Sequence, residues 1–354
     1  MSAPIFPKAH SAAFGLLAYQ SSWLRVHHGP EFLCALLNEQ PMGFYPPDSL
    51  AHEAQRRCIE LRAVDVNASA ADCTVEDGGA VRIGLGYVRG VRADEVEALV
   101  AAREADGLFA SLSQLVARVP AVLSSLEQLA WSGACDTIAG SRRSALWSLG
   151  VAIGGRRVTG GTQLALPLDL GPPPALRELG RWERLLANYA TSGMTLDDHA
   201  LAILRPRLNG VATSSELAGL RHGAAVSVAG IVVARQRPET ASGVVFMLLE
   251  DEHGTINLIV PPALYERRRH IVRTEPLILA RGRLERPPAG GGNVNVLVRE
   301  LRMLDDELSE RPAEIGRLPV REVHSPVEGS GGDAGGDLRA VAPPAQSFGG
   351  GRRR

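Results

Sequence analysis

Arginine side chains recur along the predicted β-strands between residues 225 and 304, and they could bind phosphate groups. This stretch contains eleven arginines, at positions 235, 237, 267, 268, 269, 273, 281, 283, 286, 299 and 302. Arg281 and Arg283 alternate along one predicted strand, so both side chains project from the same face. Arg235 and Arg237 end the first strand. A positively charged groove of this kind can follow a nucleic-acid backbone, which predicts contacts to phosphate.

Phe246 is the one aromatic residue within these predicted strands. Proteins that bind single-stranded nucleic acid stack bases on flat side chains, and Phe246 could serve that purpose. The position is equally compatible with the core of the domain, so both interpretations stay open. With one stacking residue and a moderate excess of arginine, we expect weak, salt-dependent binding without sequence preference.

The strands that carry these residues occur in the order of an OB-fold, a small Greek-key barrel. β-rich runs cover residues 225–235, 244–250 and 255–260, a basic helix follows at 263–273, and two strands follow at 276–284 and 293–304. Gly254 supplies the backbone freedom that the turn at 251–254 needs. Three strands, a helix and two strands are typical of this fold, which commonly holds single-stranded nucleic acid.

A second nucleic-acid-binding pattern precedes the barrel. Gly86, Arg89 and Gly90 lie in the run Gly-Leu-Gly-Tyr-Val-Arg-Gly-Val at 84–91, and a helix is predicted from Ala93. Gly90 permits a backbone conformation that other residues avoid, so the following helix can present its N–H groups to a phosphate. A helix-hairpin-helix unit acts in this way. A compact packing module would show the same pattern, and the sequence does not separate the two.

A second candidate hairpin follows the first. It comprises a helix at 124–131, a turn at 133–136 and a helix at 141–149 that carries Arg142 and Arg143. Paired units of this type usually grip the duplex backbone without contacting base edges. Asp136 would place a carboxylate at this turn, so packing alone is the competing interpretation.

The composition excludes several classes of protein. The 354 residues carry 38 Lys and Arg against 39 Asp and Glu, a net charge of −1, so any nucleic-acid surface must be local. The four cysteines are scattered without a CxxC pair, which argues against structural zinc and indicates reduced thiols. No apolar run is long enough to cross a membrane, and no signal pattern is seen. We expect a cytoplasmic protein without a membrane partner.

Helical character begins near the amino-terminal end, over residues 11–38. Leu16, Leu17, Tyr19, Trp23 and Leu24 lie at helical spacing within this segment. Core packing is the ordinary explanation of such a pattern. We therefore expect the aromatic side chains of this helix to be buried.

Four ordered blocks resemble one known family. They are Phe-Pro-Lys-Ala-His-Ser-Ala-Ala-Phe at 6–14, Leu-Ala-Tyr-Gln-Ser-Ser-Trp at 17–23, Leu-Leu-Asn-Glu-Gln-Pro-Met-Gly-Phe-Tyr at 36–45 and Val-Asp-Val-Asn-Ala-Ser at 64–69. Through them the chain resembles the bacterial error-prone DNA polymerases, C-family enzymes related to the α subunit of DNA polymerase III. The resemblance continues collinearly through the helix-hairpin-helix region and the OB-fold to the basic end. It covers the carboxyl-terminal portion of that family.

The resemblance also implies what to expect of catalysis. In the family a phosphoesterase-like domain and a palm precede the fingers, and aspartates of the palm hold two metal ions. No acidic residue here lies in a block that resembles the palm. We therefore expect no catalytic residue, metal ligand or cofactor in this chain, with Mg²⁺ required only by the intact polymerase. By resemblance, Lys8 and His10 could face the incoming nucleotide; a solvated helix start is the alternative.

Glycine and proline clusters mark residues 151–180 as a linker. Within it, Gln163, Leu164, Leu166 and Leu168 resemble the peptide by which bacterial replication proteins dock on the sliding clamp. An extended segment with alternating apolar anchors can act as a peptide ligand. The leucines could equally cover a neighbouring domain, so the pattern leaves clamp docking as one of two interpretations.

The predicted architecture is an α+β multidomain chain. Its parts are a helical fingers remnant and connector (1–78), a helix-hairpin-helix region (79–150), a flexible linker (151–180), a helical bridge (181–210), an OB-fold β-barrel domain (211–305) and a disordered tail (306–354). The predicted function is to bind single-stranded template and duplex backbone within an error-prone, translesion DNA polymerase of replication and repair, without autonomous catalysis. Two alternatives remain: a polymerase subunit whose palm another chain supplies, and a module that binds polymerase accessory proteins but no DNA.

Overall fold

A computed structural model describes residues 8–42, 45–154, 174–286, 294–309, 334–342 and 345–349. The chain divides into two compact units. The helical unit contains Met1–Met42 and Leu50–Pro174, and the barrel unit contains Gly43–Ser49 and Ala175–Arg354.

The helical unit consists mainly of short α-helices. They are α1 (Lys8–His27), α2 (Gly29–Asn38), α3 (Pro47–Arg56, within which the division between the units falls), α4 (Ala93–Asp106), α5 (Leu112–Arg118), α6 (Leu123–Ser132), α7 (Asp136–Ala139) and α8 (Arg142–Gly154). A small sheet precedes α4: β3 (Val81–Arg82) lies between β1 (Leu61–Arg62) and β2 (Thr74–Val75). Apolar residues three and four apart on α4 to α6 form the core, among them Leu99, Leu115, Leu126 and Leu129.

The segment at 64–69, which contains a turn at 66–68, is fixed onto this core by hydrogen bonds. The Asn67 side chain exchanges two bonds with the backbone of Phe109, at 2.9 Å and 2.8 Å. Arg103 of α4 donates to the carbonyl oxygens of Val66 and Ser69, at 3.0 Å and 2.8 Å. Because the partners lie far apart in sequence, these bonds hold the connector against the helices.

Helix α1 departs from the sequence-based expectation of burial. All of its side chains from His10 to His27 are exposed. The large apolar members are Phe14, Leu16, Leu17, Tyr19, Trp23, Leu24 and Val26, and Tyr19 is 67% exposed. The predicted helix is present, but no other described element covers these side chains. Helical periodicity predicts an apolar face and cannot specify which polypeptide buries it.

From residue 175 the barrel unit contains helices α9 (Arg181–Thr191), α10 (Ala200–Leu204) and α11 (Ser214–Leu217). Five strands follow with two short helices between the third and fourth: β4 (Ala225–Arg237), β5 (Val245–Glu250), β6 (Thr255–Val260), α12 (Pro262–Arg267), α13 (Arg269–Thr274), β7 (Leu277–Glu285) and β8 (Asn295–Met303). The order β4-β5-β6-β8-β7 closes through a β7–β4 pairing. The predicted OB-fold is confirmed, with the predicted helix divided into α12 and α13.

Buried and exposed side chains alternate along the strands, so that one face forms the barrel core and the other the outer face. On β5, Val245, Met247 and Leu249 are buried, whereas Phe246 between them is 38% exposed. Gly282 on β7 lies at a register shift against β8, where an added Cβ atom would clash with the backbone carbonyl of Leu297. A glycine is therefore required for this close approach of the two strands.

Three described segments of the predicted disordered tail form helices or a strand. Helix α14 (Leu304–Ser309) follows β8 directly, and later in the chain lie α15 (Ala334–Val341) and β9 (Gln346–Gly349). Leu338 of α15 is fully buried, and β9 pairs in parallel with the end of β4. The composition predicts disorder from residue 306, but burial of Leu338 holds α15 and pairing with β4 holds β9.

Candidate nucleic-acid interface

The outer face of β4, β5 and β6 is the first part of the candidate interface. Gln236 lies opposite Phe246, and Phe246 lies opposite Ile259 of β6. Gln236 and Phe246 are exposed, and Ile259 is half-buried. β5 and β6 are the second and third strands of the barrel, and the corresponding face of OB-folds binds oligonucleotides. The structure thus assigns Phe246 to the outer face and excludes it from the core.

The two arginines at the end of β4 differ in their surroundings. Arg235 donates from Nε to the carbonyl of Val272 and from Nη2 to the carbonyl of Glu275, both at 2.6 Å. Burial lowers the pKa of the Arg235 guanidinium, and the charge of Glu275 opposes that shift. Its donors therefore brace α13 against the barrel.

Arg237, by contrast, is exposed, and its guanidinium carbon lies 4.6 Å from the ring centroid of Tyr265. Stacking of this kind orients a guanidinium without removing it from solvent. Arg237 is one residue from Gln236, which faces Phe246. Neighbouring residues of a strand project to opposite faces, so Arg237 marks the end of β4, and Gln236 is the residue beside Phe246.

Arg281 and Arg283 lie on another part of the barrel. They are opposite Ser227 and Ala225 in the first half of β4, whereas Phe246 is opposite the second half. Arg281 Nη1 is 3.6 Å from a carboxylate oxygen of Glu300, while Arg283 is exposed. The predicted common face of this arginine pair is retained, but the structure separates it along β4 from Arg237 and Phe246.

The first hairpin of the helical unit exposes the three residues that the sequence singled out, with the buried Val88 between them. Gly86, Arg89 and Gly90 are all exposed, and Gly90 adopts φ +81°, the left-handed region predicted for it. Helix α4 begins at Ala93, as predicted. A 3-10 turn at Leu85–Tyr87 occupies the place of the short helix before the hairpin.

Glu95 is a residue of this hairpin that the sequence analysis missed. Its buried carboxylate accepts from the backbone N–H of Arg92 at 3.1 Å, the Ser125 hydroxyl at 2.7 Å and the Val122 N–H at 2.8 Å. It thus caps α4 and connects the hairpin to the start of α6. The glutamate three residues after the N-cap position is the signal that could have identified it. The amino terminus of α4 is therefore hydrogen-bonded within the protein, and Arg89 and Gly90 are the exposed residues of the hairpin.

Acid is expected to weaken the helical unit partly through Glu95. Burial raises the pKa of this carboxyl, but hydrogen bonds from Ser125, Val122 and Arg92 outweigh it, so the pKa lies below the ordinary value. A lowered pKa stabilises the fold above the unfolded-state pKa, and the stabilisation is lost as pH falls through the folded-state pKa. Thermal unfolding measured from pH 7 to pH 3 should show a smaller loss of melting temperature for Glu95→Gln than for wild type. An equal loss in both proteins would contradict this role.

The second hairpin is arranged around a buried arginine. Arg142 is 9% exposed, and its Nε lies 3.9 Å from a carboxylate oxygen of Asp136. It packs against Gly133, whose φ of +88° ends α6 in the left-handed region. Arg143, the next residue, is half-buried. Arg142 therefore contributes to packing of the turn, and Arg143 is the more accessible cation of this hairpin.

The remaining predicted residues lie near the amino-terminal end or in the linker. Lys8 begins α1, and the exposed His10 ring contacts the Phe14 ring at a centroid distance of 4.5 Å. Gln163, Leu164, Leu166 and Leu168 lie outside the described residues. Among the residues that the structure describes, no three His, Cys, Asp or Glu side chains form a group that could hold a metal ion. No helix in the described ranges is long and apolar enough to cross a membrane.

Two family comparisons agree with the two parts of this interface. The helix-hairpin-helix motif family matches residues 58–145, and the OB-fold nucleic acid binding domain family matches residues 226–304. The error-prone DNA polymerase of Anaeromyxobacter dehalogenans (strain 2CP-C) is 43% identical over 307 residues, which cover 83% of this chain. The predicted kinship with error-prone DNA polymerases is confirmed. This match covers 26% of that relative, so the chain spans about a quarter of its length.

Other error-prone DNA polymerases match similarly. Those of Pseudomonas paraeruginosa (strain DSM 24068 / PA7) and Pseudomonas aeruginosa (strain PAO1) are 41% and 40% identical, and each match covers 79% of this chain and 27% of the relative. Among solved structures, the asparaginyl-tRNA synthetase from Pyrococcus horikoshii is 17% identical over 27% of this chain and 23% of that chain, with a TM-score of 0.24. Similarity at that level supports no statement about function.

Proposed function

We propose that this chain is a DNA-binding portion of an error-prone DNA polymerase of the cytoplasm, which holds the template during replication and damage-induced synthesis. The observation that carries the proposal is the exposed Phe246 on the second barrel strand, beside the end of β4 where the exposed Arg237 stacks on Tyr265. An exposed phenyl ring on this face would supply a stacking surface for a base, and the guanidinium at the strand end would supply a phosphate contact.

The hairpin of Arg89 and Gly90 would contribute a separate contact to duplex backbone. Both residues are exposed, and Gly90 turns the chain with a positive φ. Contacts of this type position DNA without selecting a sequence. Single-stranded template on the barrel and duplex on the hairpin would together suit a polymerase that copies damaged DNA of any sequence.

Nucleotide incorporation itself we assign to other parts of such a polymerase. Two-metal phosphoryl transfer requires clustered carboxylates, and the described residues contain no such group. The chain spans about a quarter of the length of the relatives that it matches. Mg²⁺ would act in the remaining part.

Fluorescence anisotropy on a labelled oligothymidylate, over a salt series, tests this function. We expect saturable binding at low salt. The logarithm of the association constant should fall linearly with the logarithm of the salt concentration, because each neutralised phosphate contributes a slope of about −0.7 on single strands. Arg237→Gln should make that slope shallower by about 0.7. Arg184→Gln, which removes an exposed charge from α9 outside the barrel, should leave it unchanged. A flat titration at low salt would contradict DNA binding and favour an accessory-protein module, for which the clamp-like peptide at 163–168 stays a prediction.

A second candidate function, assembly with the rest of a polymerase, is favoured by α1. Leu16, Tyr19, Trp23 and Val26 recur at spacings of three, four and three residues, and all four are exposed. This spacing forms an apolar seam along one side of the helix, the type of seam that pairs with another helix. We propose that the polymerase portion corresponding to the unmatched length of the relatives covers it, in a longer chain or as a separate subunit.

Co-purification with the remaining part of the Anaeromyxobacter dehalogenans polymerase tests this assembly. Tyr19→Glu should reduce complex formation at least tenfold, because a carboxylate in an apolar seam must lose its hydration. Ser21→Glu adds the same charge on the side of α1 opposite the seam, two residues from both Tyr19 and Trp23, and should leave the complex intact. Equal effects of the two variants, or a wild-type chain that forms no complex, would contradict assembly through α1.

A further inference from the structure

The carboxyl-terminal segment of α15 and β9, residues 334–342 and 345–349, is attached to the barrel unit at two places. The first attachment is Leu338, which is fully buried in a cluster with Leu185, Leu277 and Leu304. These residues come from α9, β7 and the start of α14. Burial of a leucine to this extent removes its side chain from water, which stabilises the contact of α15 with these elements.

Next to Leu338, an ion pair connects α15 to Glu275, which lies between α13 and β7. Arg339 Nη2 lies 2.6 Å from Oε2 of Glu275, whose side chain is 3% exposed. The backbone carbonyl of that same Glu275 accepts the guanidinium of Arg235 at 2.6 Å. Glu275 is thus shared between the carboxyl-terminal segment and the arginine that braces the end of β4.

The second attachment is the pairing of β9 with β4. Ala234, Arg235, Gln236 and Arg237 pair in parallel with the four residues of β9. The pairing of β4 with β7 ends at Ile231, so on that side β9 takes the place of β7 along the last part of the strand. On its other side this part of β4 pairs with β5, the strand of Phe246.

We infer that α15 and β9 act as a positioning strap for the nucleic-acid-binding face. The strap holds the end of β4, so that Gln236 stays in register beside Phe246 and Arg237 keeps its place at the end of the strand. A strand added at an edge extends a sheet laterally and leaves its faces open, so β9 supports the face without occupying it. This inference rests on the proposed function, because it assigns the strap a role in binding single-stranded DNA.

The test compares Leu338→Asn with Ala340→Asn in the full chain. Leu338 is buried and Ala340, two residues away on the same helix, is exposed, while both changes preserve net charge. Leu338→Asn should accelerate amide hydrogen exchange at residues 234–237, because an unattached α15 no longer holds β9 on the edge. It should also weaken oligothymidylate binding about fivefold, the lower end of the loss expected for one displaced stacking residue. Ala340→Asn should match wild type in both measurements.

Arg339→Gln serves as a second variant in which the core stays apolar, and we expect it to change exchange and affinity in the same directions as Leu338→Asn. Faster exchange with unchanged affinity would overturn the positioning role while the proposed function stands. Tighter binding would overturn it as well, because the segment would then obstruct the face. A wild-type chain that fails to bind oligothymidylate would overturn the proposed function and this inference together.

Discussion

Replacement of Phe246 by alanine is expected to weaken binding of single-stranded DNA by about tenfold. A base stacked on an aromatic side chain contributes about 1–3 kcal/mol, and Phe246 is the exposed aromatic residue on the described outer face of β4 to β6. Because the phenyl ring carries no charge, its removal should lower affinity at every salt concentration and leave the salt slope unchanged. Anisotropy titrations with oligothymidylate at several salt concentrations measure both quantities.

The matched control for this substitution is Leu220→Ala. Leu220 lies in the same unit and is 36% exposed, against 38% for Phe246, so both changes remove a partly exposed apolar side chain. The control should bind DNA as wild type does. If both variants lost affinity equally, the loss would reflect general destabilisation, and a Phe246→Ala variant with wild-type affinity would contradict stacking at this position.

Replacement of Asp251 by alanine is expected to reduce the free energy of unfolding of the barrel unit by about 3 kcal/mol. Asp251 is fully buried at the β5–β6 turn. Its carboxylate accepts from the Ser214 N–H and hydroxyl, both at 2.6 Å, and from the His253 and Gly254 N–H groups, both at 2.9 Å. Hydrogen bonds to a charged group contribute about 1.5–3 kcal/mol each, and alanine leaves these donors without their acceptor. Thermal and urea unfolding, followed by circular dichroism, measure the change.

Asp197→Ala is the corresponding control, since Asp197 is an exposed aspartate of the same unit. Its removal should change the unfolding free energy by less than about 0.5 kcal/mol, as is usual for surface positions. A loss below about 1 kcal/mol for Asp251→Ala would show that water replaces the carboxylate and that the turn is not held by it.

The order of the barrel elements could be predicted from sequence because each strand has its own local signal. β-branched residues, the Asp251–Gly254 turn and the paired prolines at 261 and 262 mark the strand ends without reference to the rest of the chain. The surroundings of individual side chains could not be predicted in the same way. Arg235 and Arg237 are two residues apart on β4, yet one donates to the carbonyls of α13 and the other reaches solvent.

The other differences between the sequence-based predictions and the structure concern features that depend on residues distant in sequence. Phe246 could be assigned to the outer face only when the register against Gln236 was known. Leu338 becomes buried through contacts with α9, β7 and α14, which composition does not reveal. Glu95 is a different case. Its capping position can be predicted from the sequence, whereas its hydrogen bonds to Val122 and Ser125 cannot. Local patterns therefore located the elements, and tertiary contacts selected which candidate side chains stay accessible.

The most direct measurement locates the DNA-binding site on the intact chain. Chemical shifts of the backbone amides are followed by NMR during titration with a short oligothymidylate. The largest shifts are expected at Gln236, Arg237 and Phe246 and at the neighbouring residues of β6, with α9 unchanged. Shifts that saturate elsewhere while these amides stay still would contradict a barrel face that binds single-stranded DNA.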